Sequence, residues 1–155
     1  MLTLKQLTKV CELLNQHGVR YVVIGGWAIN IHGYERATRD IDLIVDVSDD
    51  NIAKIKQALA SELPEACAEL SLDDVTQNVV VRMVGEAIVV DLMGKVGDVD
   101  YKRAVKDVSF EDIDGVRIPV AGLETMLYLK SGIRDIDKKD YLFLCGKKEY
   151  LKKKK

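Results

Sequence analysis

Asp40 and Asp42 stand two residues apart in the run Asp40-Ile41-Asp42-Leu43-Ile44-Val45. The run alternates at first and finishes apolar, the pattern of a strand with one polar edge, so both carboxylates leave one face while Ile41 and Leu43 turn to the core. Asp is depleted in strand interiors, and two anions this close raise one another's pKa unless something positive sits between them. A divalent cation meets that need, because Mg²⁺ takes carboxylate oxygens, keeps several waters and bridges to substrate phosphates. A third acid, Asp91, ends the apolar run Ala87-Ile88-Val89-Val90 on another strand-like segment. Were the two strands adjacent, the three acids could hold two ions, the arrangement that serves an in-line displacement at phosphorus.

A second group of residues suits phosphate. Gly25-Gly26 follows the β-branched run Tyr21-Val22-Val23-Ile24 and precedes a short helical pattern, Trp27 to Ile31. A glycine pair between strand and helix lets the backbone approach an anion closely, and the helix dipole adds favourable potential. Arg36, Thr38 and Arg39 lie immediately before the acids. A cation there could neutralise charge developing on a leaving group, or it could simply hydrogen-bond the loop. Trp27 is expected to pack under the turn, because a large aromatic carries much buried area. His32 has no Cys or His at ligand spacing and is read as a packed or turn-bonded histidine.

The elements that must carry these residues follow from periodicity. Thr3 and Gln6 have capping-box spacing, and Leu4, Leu7, Val10, Cys11 and Leu14 then recur at helical steps until Gly18. Ser48, Asp49 and Asp50 offer N-caps to a crossover helix carrying Ile52, Ile55, Leu59 and Leu63, expected to stop before Pro64. Val79 to Met83 and Ala87 to Leu92 flank Gly85-Glu86 as a hairpin, and Asp114-Gly115 predicts another before Val116 to Val120. Helical spacing returns from Leu123 to Leu144, interrupted by the charged stretch Arg134 to Asp140, itself read as a solvated face. With 155 residues, 48 % apolar and 31 % charged, a disordered or fibrous chain is excluded, and one domain over 1–146 with a basic, flexible tail over 147–155 is expected. The net charge of −2 divides into +5 over the last nine residues and −7 over the rest. Cys11, Cys67 and Cys145 are far apart and signal neither a disulfide framework nor a zinc site. No membrane span or signal peptide is evident, so a cytoplasmic protein is expected.

Ile24-Gly25-Gly26, thirteen residues, then Asp40-Ile41-Asp42-Leu43 resembles the signature of the polymerase β-like nucleotidyltransferase superfamily. The longer string Gly25-Gly26-Trp27-Ala28 to His32-Gly33, with Arg36, Thr38 and the acids, is similar to two small branches: the AbiEii-type toxins and the aminoglycoside and lincosamide nucleotidyltransferases. The resemblance implies an α/β (α+β) fold with a mixed, mostly antiparallel sheet flanked by helices and C-terminal helices beyond it. It implies that Asp40 and Asp42 bind Mg²⁺, two ions in all, that Gly25 and Gly26 hold nucleotide phosphates, and that Asp91 is third ligand or general base. Lys130, Arg134 and the pair Lys139-Asp140 resemble helical positions of the toxin branch, where the Lys touches phosphate; the Lys-to-Asp spacing is shorter here. The implied reaction moves an NMP from an NTP, ATP being the expected donor, to a hydroxyl. The acceptor stays open between RNA or tRNA, a small molecule and a protein, as does a toxin–antitoxin role. The acidic body favours a small cationic acceptor or a protein partner over RNA. The rival reading is an inactive module of the same fold that binds a nucleotide or a partner protein.

Overall fold

A computed structural model describes residues 3–131 and 135–154. The chain opens with α1 (Leu4–Gln16), capped reciprocally: Gln6 N–H donates to Thr3 Oγ1 at 3.3 Å, and Thr3 N–H donates to Gln6 Oε1 at 2.8 Å. Then come β1 (Tyr21–Ile24), α2 (Gly25–His32), β2 (Ile41–Val45) and α3 (Asp49–Leu59). Leu7, Val10, Leu14, Ile55 and Leu59 are fully buried where α1 meets α3 and the sheet. Asn51 of α3 is buried too, and its amide ties both strand ends together through Arg20 N (2.8 Å), Arg20 O (3.0 Å) and Asp46 O (2.8 Å). That satisfies three backbone groups that would otherwise lie unpaired against the core.

The apolar spacing of α3 outlasts the helix. Leu63 is buried but belongs to a turn, and Pro64 begins α4 (Pro64–Glu69) instead of merely ending what precedes it. Proline restricts the residue before it to extended backbone yet suits the first helical position. A further short helix, α5 (Leu72–Gln77), rests on a Ser71/Asp74 capping box and has too few periodic apolar residues to announce itself. The hairpin strands are β3 (Val81–Val84) and β4 (Val89–Met93), each starting two residues later than periodicity predicts, so Val79 and Val80 stay exposed outside the ladder. The short pair β5 (Lys95–Val96) and β6 (Val99–Asp100), helix α6 (Tyr101–Ala104) and a 3₁₀ turn follow. The Asp114-Gly115 hairpin forms as expected between β7 (Ser109–Ile113) and β8 (Val116–Val120).

The main sheet has the order β3-β4-β2-β1-β8-β7. β1–β2, β3–β4 and β7–β8 are antiparallel, whereas β2–β4 and β1–β8 are parallel. This is the mixed, mostly antiparallel sheet flanked by helices that the sequence predicts. The chain then forms α7 (Leu123–Leu129) and α8 (Asp135–Lys153). The helical run is interrupted, but between Leu129 and Asp135, ahead of most of the charged stretch; Asp137 and Asp140 lie within α8, and both are buried. Together with Leu144 they fall at helical spacing on the face turned inward, so the solvated-face reading is corrected. The lysine-rich segment expected as a tail continues α8 as far as Lys153. Arg134 lies outside the described residues.

Candidate active site

The three acids converge because β2 and β4 run side by side in parallel register. Asp42 pairs with Asp91 across them, and Asp40 immediately precedes β2. One carboxylate oxygen from each of Asp40, Asp42 and Asp91 lies within 4.8 Å of the others. Asp91 is buried, and Asp40 and Asp42 are half-buried at the wall of a cleft of about 670 Å³. Burial, reinforced by the neighbouring charges of Asp91 and Asp40, pushes the Asp42 carboxyl up to about 7, while Lys130 pulls it down. Three hard oxygen donors at this separation suit Mg²⁺. One cation, a guanidinium, already sits among them.

That guanidinium belongs to Arg82, which sequence analysis did not single out. It lies directly opposite Asp91 across the β3–β4 pair. Its Nε donates to Asp91 Oδ1 and its Nη2 to Asp91 Oδ2, both at 3.0 Å, and Nη2 also reaches Asp40 Oδ2 at 3.0 Å. Pairing residues outward from a two-residue turn at Gly85-Glu86 would set Arg82 against Val89; the connection spans Gly85 to Ile88, and that longer loop brings Asp91 opposite Arg82.

The glycine pair closes the other side. There is no separate tight turn, since Gly25 and Gly26 are the first two residues of α2, and Ile24 at the N-cap makes no side-chain capping bond. Both glycines line the cleft. Gly25 has φ +69°, and a methyl group there would overlap Asp42 Oδ2; at Gly26 it would come within 2.7 Å of Thr38 Oγ1. Neither position tolerates a Cβ without displacing a group that shapes the site. Gly25→Ala is therefore expected to strain the backbone by about 1–3 kcal/mol and to move the Asp42 carboxylate. Thermal melting and a nucleotide-binding titration check it: a lower Tm together with weakened binding is expected, and unchanged binding would contradict the packing.

The basic residues divide. Thr38 is buried and donates from Oγ1 to Asp40 O at 3.2 Å, so it fastens the chain that presents the acid. Arg36 forks onto Asp140, Nε to Oδ1 at 3.2 Å and Nη2 to Oδ2 at 3.0 Å. Lys130 also ends on α8, with Nζ 3.1 Å from Asp140 Oδ2 and 3.3 Å from Asp137 Oδ1. Both cations line the cleft while being held from behind by carboxylates. Arg39 is exposed at its rim. Trp27 is buried as expected, although its Nε1 has no hydrogen-bond partner. His32 is bonded on both sides, its Nε2 lying 2.8 Å from Ala121 O and its Nδ1 2.8 Å from Lys147 Nζ.

A six-stranded mixed sheet, a glycine pair opening the helix after β1, and three acids across β2 and β4 make this a protein of the nucleotidyltransferase class. Two solved structures share the fold. One, from Thermotoga maritima and described as a nucleotidyltransferase, is 21 % identical with a TM-score of 0.56, covering 97 % of this chain and 90 % of that one. The other is the lincosamide antibiotic adenylyltransferase LnuA bound to lincomycin, 19 % identical with a TM-score of 0.66, covering 92 % and 96 %. Comparison with curated protein sequences found no match. The family model described as "Nucleotidyl transferase of unknown function (DUF2204)" matches residues 3–155, and the chain belongs to that family. Among the described residues, no helix is long and apolar enough to cross a membrane.

Proposed function

We propose that this nucleotidyltransferase is Mg²⁺-dependent and moves an NMP, from ATP in the first instance, to a hydroxyl of a small cationic acceptor, releasing pyrophosphate. The observation that carries the reading is the convergence of Asp40, Asp42 and Asp91 within 4.8 Å, beside a helix that starts on two glycines. These three carboxylates would hold the divalent ions, two in all by the resemblance. When bound, the metal would neutralise the triphosphate and polarise the reacting oxygens.

The chain's own residues account for the rest. The first amides of α2 offer hydrogen bonds to phosphate, aided by the helix dipole. Arg39 at the rim supplies positive charge to the triphosphate, and Arg36 and Lys130 add theirs from the cleft wall. As the acceptor oxygen bonds to the α-phosphorus and the α–β bridge breaks, pyrophosphate leaves; Asp91 serves either as third ligand or as acceptor of the hydroxyl proton.

The neighbouring surface supports the choice of acceptor class. Across the segment Arg36-Ala37-Thr38 lies a second cleft of about 790 Å³, carrying Glu35, Glu111, Ile31 and Trp27. Two carboxylates beside apolar walls suit an amphipathic cation and disfavour a nucleic-acid backbone. The fold shared with a lincosamide adenylyltransferase agrees with that choice over the toxin-type branch, in which RNA would be the acceptor. A reaction that consumes NTP fits the cytoplasm.

The test is transfer of label from α-labelled NTPs, one at a time, with Mg²⁺, to a panel of hydroxylated cationic compounds and, separately, to tRNA. Label on a small molecule that disappears in Asp40→Ala supports the proposal. Label on RNA overturns the acceptor assignment. No label together with no Mg²⁺-dependent nucleotide binding favours the inactive module.

A further inference from the structure

Arg82 is an unusual neighbour for a metal site. It sits on β3, an edge strand of the sheet, and its side chain is 56 % exposed. A long cationic side chain in that position gains most by reaching into water. Here the guanidinium turns inward, spending both prongs on Asp91 and the second also on Asp40. It takes both oxygens of Asp91 and one of Asp40, so a divalent ion bound to Asp91 would have to share an oxygen with it. Its rigid fork matches carboxylates two at a time, so it is a strong occupant. A guanidinium and a dication bonded to the same carboxylates lie a few ångströms apart and repel, so each weakens the hold of the other.

Among the described residues, Arg82 is the cation hydrogen-bonded to the acid cluster. Lys130 sends its ammonium to Asp137 and Asp140, and Arg36 forks onto Asp140. Exposure on an edge strand means Arg82 can leave by rotating its own side chain, with no change in the sheet.

Building on the metal-dependent reading above, we propose that Arg82 is a resident counter-ion of the acid cluster, exchanged for the divalent cation, and that the freed guanidinium turns to the triphosphate which accompanies the metal. The exchange explains how three acids stay assembled before substrate arrives. It also couples the two ligands: metal alone must evict Arg82 into water, whereas metal with a nucleotide gives the displaced cation a new anion. Arg82 is thus a positioning residue that sets the order of loading.

The experiment is Mn²⁺ binding, read as loss of the free-ion electron paramagnetic resonance signal, in the full chain and in Arg82→Gln and Arg82→Lys. It is run at about pH 8, where proton competition for carboxylates is small, with and without a non-hydrolysable ATP analogue. Removing a charge-assisted competitor should tighten Mn²⁺ binding to Arg82→Gln about tenfold in the absence of nucleotide. The strengthening of Mn²⁺ binding caused by the analogue should shrink in the same variant. Arg82→Lys, cationic but without the fork, should fall between the two, and it reads the effect independently if Arg82→Gln does not fold. The gain should survive raised salt, which distinguishes displacement from a long-range field. Unchanged or weaker Mn²⁺ binding in both variants overturns the inference, because it means Arg82 only shapes the ligands. Absence of Mn²⁺ binding in every protein, with or without nucleotide, instead overturns the metal-dependent reading on which the inference stands.

Discussion

Asp42→Asn is expected to lower nucleotidyl transfer on the order of 10³-fold while leaving the fold unchanged or slightly more stable, since a bound metal contributes several kcal/mol of transition-state charge stabilisation. The amide has the shape of the carboxylate, so it still fits against Gly25 and beside Asp91. What disappears is an anion that burial and two neighbouring carboxylates already penalise. Loss of activity without loss of stability separates a ligand from a structural residue, for which both would fall. The same residue fixes a pH dependence. With its carboxyl at about 7, Asp42 holds a proton below that value, and proton and cation compete for it. Metal affinity of the unaltered chain should therefore rise as pH increases through about 7 and level off above it, and the Asn variant should lack that step. Transfer assays, melting curves and metal titrations across the range check each statement; full activity in the Asn variant would remove Asp42 from the site.

Asp140→Ala is expected to cost about 3–5 kcal/mol of stability, the penalty for breaking a buried ion pair by removing one partner. Asp140 is fully buried and receives both prongs of Arg36 as well as the Lys130 ammonium. Without it, the nearly buried Lys130 is left to Asp137, and Arg36 loses its fork. Urea unfolding of Asp140→Ala, Arg36→Ala and the double variant measures the effect. The double variant should lose much less than the two single losses combined, because they share one interaction. A loss under about 1 kcal/mol for Asp140→Ala would mean the network contributes little.

The acids and the glycine pair were legible in sequence as local patterns: paired Asp where a strand wants none, and Gly-Gly at the junction of a strand with a helix. A violation of the first kind marks a site where function overrides propensity. Arg82 escaped because one Arg on a half-exposed strand breaks no rule, and only the pairing register sets it against Asp91. The fates of Arg36 and Lys130 were hidden for a different reason. Each meets Asp140, and the Arg36 contact spans 104 residues. No local pattern encodes that pairing, and the charges of α8 look like those of any solvated helix. The end of α3 misled because both burial and a last helix-type bond, Leu63 N–H to Leu59 O at 2.7 Å, run on into the turn after the regular helix has ended at Leu59.

α8 meets the segment before the acids at three points. Lys147 reaches His32 at 2.8 Å, Phe143 stacks on Tyr34 with ring centroids 5.3 Å apart, and Asp140 takes Arg36. His32 at the end of α2, and Tyr34 and Arg36 beyond it, are thereby matched to every third or fourth residue of a helix made more than a hundred positions later. During synthesis, β2 and β4 can pair and bring the acids together long before α8 has left the ribosome. The basic wall of the cleft is finished only when α8 docks, so a growing chain carries the acids without their complete surroundings. The surroundings of the cleft are thus completed only after α8 has been made.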